Sequence, residues 1–131
     1  MRIVLVVGLL LAACGPALAQ ERPTAQNCAA VYGAFAQEQV TFGTSNSLMG
    51  ERYFNYVKIS FDDRLAQLAG KSEMGVTQLK TASAAAESDY YMKLVDAETD
   101  GDMDAQPVRE MIRLSDTCDA EYGFSPSLGG G

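Results

Sequence analysis

The sequence contains no histidine and no tryptophan, only three cysteines, and no apolar run longer than eleven residues. Without histidine, the chain lacks the commonest general base and the commonest transition-metal ligand. A Ser-His-Asp or Cys-His site is therefore excluded. P-loop, C-x-x-C and G-x-G-x-x-G motifs are absent as well. The residue inventory predicts a protein that is not an enzyme.

The apolar run that follows Arg2 is too short to cross a bilayer, which takes about 20 residues. Its length is typical of a secretory signal peptide, and "ALA" at 17–19 provides small residues for cleavage. We therefore expect a signal peptide over residues 1–19 and one mature domain over residues 20–131. The alternative is a lipid anchor, because "LAAC", which ends at Cys14, resembles the lipobox of bacterial lipoproteins. Both interpretations predict export, to the periplasm or medium or as a membrane-anchored lipoprotein, and neither leaves a membrane span.

The chain is acidic, with 17 acidic and 10 basic residues and a net charge of −7. Such a surface disfavours nucleic acid and anionic lipid as partners. An unidentified protein partner is compatible with it.

Two cysteines, Cys28 and Cys118, remain once Cys14 is set aside. In an oxidising compartment two such thiols are expected to form one disulfide, and free buried thiols are the alternative.

Four segments show the three- and four-residue spacing of apolar positions that is typical of helices. This spacing predicts helices at about 24–41, 47–69, 72–95 and 105–122, followed by a flexible tail over 124–131. The core face of the first helix is expected to carry Cys28, Val31, Tyr32, Phe35 and Val40. Short connections between four helices favour an all-α fold, a small antiparallel four-helix bundle. In this topology the start of the first helix and the end of the fourth share one end of the bundle, which agrees with the expected disulfide.

The stretch "DAETDGDMDAQP", residues 96–107, resembles the calcium-binding loop of EF-hand proteins. Aligned on Gly101, the resemblance implies Ca²⁺ ligands at the following positions: Asp96, Glu98, Asp100, Asp102 and Asp104. Pro107 stands where the EF-hand has a bidentate glutamate, so any site is expected to be weak. The simpler interpretation is an acidic, solvated turn between two helices.

Together these features predict an exported, non-enzymatic helical binding or interaction protein without a cofactor. The alternative is a weak Ca²⁺-binding protein that uses the degenerate loop 96–107.

Overall fold

The computed structural model describes residues 22–42 and 61–124. This part of the chain is all-helical and contains no strand, as the periodicity predicted. Its elements are α1 (Ala25–Phe42), α2 (Phe61–Gly70), α3 (Val76–Asp100) and α4 (Gln106–Tyr122). The expected signal peptide, the lipidation candidate Cys14, the first part of the second predicted helix and most of the predicted tail lie outside the described residues.

Helix α1 begins directly after Thr24, which caps it. The backbone N–H of Asn27 donates to Oγ1 of Thr24 at 3.1 Å, which satisfies one of the free amides of the first turn. From Cys28 to Phe35 every residue is buried, so α1 is surrounded by the other elements. Its most extensive packing is against α3, and it also contacts α2 and α4.

The core is built from apolar side chains of all four helices. Beyond α1, its largest fully buried members are Leu65, Leu68, Leu79, Leu94, Val108 and Met111. Val40 was expected in this core, and that prediction is wrong, because its side chain is 87% exposed.

The predicted disulfide is confirmed in the structure. Cys28 in α1 and Cys118 in α4 are bonded, with 5.7 Å between their Cα atoms, and both are fully buried. The Tyr122 hydroxyl donates to the carbonyl of Pro23 at 3.2 Å beside this bond. Arg22 and Glu121 form an ion pair at 3.7 Å nearby. A disulfide, a hydrogen bond and an ion pair thus connect the beginning of α1 to the end of α4.

The third helix differs from its prediction at both ends. It starts at Val76 after Gly75, and it continues to Asp100 instead of ending near residue 95. Gly101 then adopts a left-handed conformation, with φ 71°, and its N–H bonds back to the carbonyls of Ala97 and Glu98. A left-handed residue at this place is a common helix stop, and glycine adopts it without steric cost.

The predicted tail begins one residue too early. Phe124 lies against the core, with its ring 6.2 Å from that of Tyr32, and its N–H bonds to the carbonyl of Asp119 at 2.8 Å. Residues 125–131 lie outside the described part.

Candidate functional site

The acidic stretch does not have the conformation of a calcium loop. Asp96, Glu98 and Asp100 belong to the last turns of α3, and only residues 101–105 connect it to α4. At 100° per residue, the helix puts Asp96 and Asp100 on one side and Glu98 on another. The expectation that residues 96–107 form one interhelical loop is therefore wrong, because helix formation continues through the acidic residues up to Gly101.

Beyond the helix, Asp102 accepts a hydrogen bond from the N–H of Asp104 at 3.1 Å. Asp96, Asp100 and Asp102 line a small pocket of about 190 Å³ that they share with Lys93. Within the described ranges, no three acidic or cysteine side chains are grouped so that they could hold one metal ion. The structure thus brings three of the five predicted ligands to one pocket, without the geometry of a metal site.

Weak Ca²⁺ binding by this stretch stays a prediction. Millimolar Ca²⁺ is expected to raise the free energy of unfolding by no more than about 1 kcal/mol, as for a ligand near its dissociation constant. Asp100→Asn should reduce the effect. Thermal melts with CaCl₂, MgCl₂ and NaCl at one ionic strength measure it, and equal melts in all three salts would rule out a specific site.

A buried polar cluster lies where α1, α2 and α4 meet. Nη1 of Arg64 is 3.1 Å from Oδ1 of Asp119, and both side chains are at most 5% exposed. The Tyr32 hydroxyl donates to the same carboxylate oxygen at 2.6 Å. Two donors thus compensate the charge that burial would otherwise make costly.

Aromatic rings enclose the cation of this cluster. The guanidinium of Arg64 lies 4.3 Å from the ring centroid of Phe124 and 5.2 Å from that of Tyr32. Asp119 directly follows the disulfide-bonded Cys118. Because the groups are buried and already paired with one another, we assign the cluster a structural role.

An open cleft between α1, α2 and α3 has different properties. It has a volume of about 440 Å³, within the range of small-molecule sites. Its walls are formed by Gly33, Ala36, Gln37, Val40, Phe61, Asp62 and Glu87. Among the described residues, its lining combines apolar surface with the carboxylates of Asp62 and Glu87, and this makes the cleft the candidate binding site.

Glu87 is the distinctive group of the cleft. Burial raises the pKa of its carboxyl, and the charge of Lys80 opposes this shift only in part. Lys80 lies seven residues earlier on α3 and is not within ion-pair distance of it. Among the described residues Glu87 has no hydrogen-bond partner. A half-buried carboxylate without a direct partner is energetically unfavourable in the free protein.

Gly33 creates the space that Glu87 occupies. A Cβ atom at position 33 would overlap Oε1 of Glu87 and lie 3.1 Å from Cζ of Phe61. Glycine within an otherwise well-formed helix weakens that helix by about 1 kcal/mol relative to alanine. The close approach of the Glu87 carboxylate to the α1 backbone gives a physical reason for this glycine.

Sequence reasoning did not identify this cleft. Of its lining residues only Val40 was considered, and it was expected in the core, whereas Glu87 lies in the small-residue segment "ASAAAES" at residues 82–88. The available signals were the isolated Gly33 in an apolar helix and a single carboxylate in a run of alanines and serines. Neither signal reveals that the two positions meet.

The raised pKa of Glu87 has a testable consequence for stability. A carboxyl whose folded pKa exceeds its unfolded value of 4.5 contributes stability below pH 4.5 and loses it as pH rises through the folded pKa. We therefore expect Glu87→Gln to unfold at a higher urea concentration than wild type at pH 7, with the difference shrinking towards pH 4. Asp89→Asn, an exposed neighbour on α3, should show no such trend. Urea titrations at pH 4 to 7 measure both variants, and an unstabilised Glu87→Gln at pH 7 would contradict the prediction.

Comparison with protein-family models, curated proteins and solved structures found no match. No helix in the described ranges is both long and apolar enough to cross a membrane. The function of this chain therefore has to be inferred from its own geometry.

Proposed function

We propose that the protein is an exported, non-enzymatic helical binding protein whose ligand occupies the cleft between α1, α2 and α3. The observation that carries this proposal is the half-buried Glu87 carboxylate in an open, largely apolar cleft. A group that destabilises the free protein and faces open space is expected where a ligand supplies the missing partner. The chain also lacks histidine, so the cleft has no imidazole for acid–base work.

Nuclear magnetic resonance detects binding in the cleft even while the ligand is unidentified. A small-molecule panel of amines, carboxylates, alcohols and sugars is added to ¹⁵N-labelled protein. Binding in the cleft should shift the amide signals of Gly33, Gln37 and Glu87, and leave those of α4 unchanged. If no class of compound shifts the cleft signals, the proposed function is wrong.

Export is the second part of the proposal. The apolar N-terminal run and the A-x-A site at 17–19 support secretion, and the Cys28–Cys118 disulfide agrees with an oxidising compartment. The contacts that join the start of α1 to the end of α4 also support the proposed antiparallel order of the helices.

Cleavage before Gln20 without a lipid is the expected processing. The intact mass of the protein purified from its native host should equal that of residues 20–131 with two hydrogens removed by the disulfide. A mass that starts at Cys14 and includes acyl chains would favour the lipoprotein alternative. A full-length mass would contradict both.

A further inference from the structure

The cleft offers the chemistry of a cation site on an apolar wall. Among the described residues that line it, the ionisable ones are Asp62 and Glu87, and both are acidic. Phe61 contributes an aromatic ring, and Ala36 and Val40 contribute aliphatic surface. A positive head group would meet carboxylates here, while an alkyl chain attached to it would meet carbon.

The partial burial of the Glu87 carboxylate indicates which head group a ligand of this cleft would carry. Its carboxylate is partly desolvated, and among the described residues no hydrogen bond or ion pair satisfies it. A ligand ammonium would supply both a compensating charge and up to three N–H donors, and such hydrogen bonds are about twice as strong as neutral ones. An anionic head group would instead be repelled by both acidic residues.

A divalent metal ion fits the cleft less well. Calcium takes six to eight oxygen ligands and magnesium requires a near-octahedral set. Its described lining offers two carboxylates and the Gln37 amide, and no group of three acidic residues suited to a metal occurs in the described ranges. The side chain of Val40, which is 87% exposed, offers apolar contact to an alkyl chain and no ligand atom to a metal ion.

We propose that the cleft binds small primary alkyl amines, with the ammonium group at Glu87 and Asp62 and the alkyl chain along Phe61, Ala36 and Val40. This inference rests on the proposed binding function and specifies its ligand class. Glu87 is the principal partner because it is half-buried, whereas the exposed Asp62 contributes mainly long-range attraction.

The test compares three probes that share one hydrocarbon chain and differ only in the head group. n-Butylammonium chloride, n-butanol and sodium butyrate are titrated into the ¹⁵N-labelled full mature chain at pH 7 and constant ionic strength. Butylammonium should shift the cleft amides with a dissociation constant on the order of millimolar, roughly fivefold or more tighter than butanol. Butyrate should be the weakest of the three.

Four variants identify the groups responsible. Glu87→Gln should weaken butylammonium binding about tenfold and leave butanol binding nearly unchanged. Asp62→Asn should have a smaller effect in the same direction. Asp89→Asn removes the same charge from an exposed position on α3 outside the cleft and should bind as wild type does. Gly33→Ala should also weaken binding, because the new methyl displaces the Glu87 carboxylate, and its circular dichroism spectrum checks that the fold is retained.

The outcomes separate the two proposals. Preference for butylammonium that Glu87→Gln abolishes and Asp89→Asn retains supports the inference. Equal binding of butylammonium and butanol, or tighter binding of butyrate, overturns the amine assignment while the binding function stands. A response to butylammonium that Glu87→Gln and Asp89→Asn reduce equally also overturns it, because the attraction would then be nonspecific. If none of the three probes nor the wider panel shifts the cleft signals, both proposals fail.

Discussion

Reduction of the Cys28–Cys118 disulfide is expected to lower the free energy of unfolding by about 4–5 kcal/mol in the chain-entropy account. The bond joins residues 90 positions apart, so it removes many conformations from the unfolded chain. For a domain of this size the loss corresponds to a fall in melting temperature of roughly 15–30 °C. Calorimetry of the oxidised protein and of the Cys28→Ala/Cys118→Ala variant measures the difference.

The control for this experiment uses the same reductant on the double alanine variant. Its melting temperature should not change when dithiothreitol is added, which shows that the reductant acts only through the disulfide. Since both sulfur atoms are fully buried, the folded wild type should also resist brief treatment with dithiothreitol unless denaturant is present. A reduced protein that melts within a few degrees of the oxidised one would contradict the prediction.

Removal of one partner of the buried Arg64–Asp119 ion pair is expected to cost about 3–5 kcal/mol. Arg64→Met removes the 3.1 Å contact between Nη1 of Arg64 and the buried carboxylate of Asp119, while the Tyr32 hydroxyl still donates to that carboxylate. Asp119→Leu removes the carboxylate end of the same contact, and the guanidinium stays buried against two aromatic rings. Urea denaturation of each single variant measures the cost.

The double variant shows how much of the cost of each single change comes from the charge that stays buried. These variants are compared in a Tyr32→Phe background, which removes the hydroxyl that donates to Asp119. In that background the double variant Arg64→Met/Asp119→Leu should be more stable than either single variant. The double change removes both buried charges of this contact, whereas each single change removes one and keeps the other buried. As a matched control, Arg22→Met breaks the exposed Arg22–Glu121 pair and should cost less than about 1 kcal/mol. Equal costs for the buried and the exposed pair would show that burial of the first has no energetic consequence.

The sequence permitted prediction of those features that follow from local spacing. The helical class, the start of α1 near residue 24 and the Cys28–Cys118 bond follow from apolar periodicity and a count of thiols. The end of α3 was misplaced because clustered acidic residues favour turns, whereas their helical neighbours and the Gly101 stop decided the outcome.

Long-range pairing could not be predicted in the same way. Arg64 and Asp119 both lie at helical spacing from apolar core residues, but a charged residue is usually exposed, and only their pairing across 55 positions makes burial possible. The cleft could not be predicted for the same reason, since Gly33 in α1 and Glu87 in α3 come into contact only when the two helices pack together. Sequence periodicity indicates which face of each helix is buried, but it does not indicate which polar residues meet there.

The bonds between the start of α1 and the end of α4 also affect the order in which the protein can fold. As a ribosome releases the chain from its N-terminus, α1 emerges early, while its partners around Cys118 and Tyr122 emerge among the last residues. The residues from Cys28 to Phe35 can pack against α3 before α4 emerges, but the surface of α1 that faces α4 stays exposed until then. Contacts that span 87 to 99 positions can form only after nearly the whole domain has been made, and such nonlocal contacts slow folding relative to local ones. Until the final helix is complete, the chain exposes apolar surface of the kind that chaperones cover.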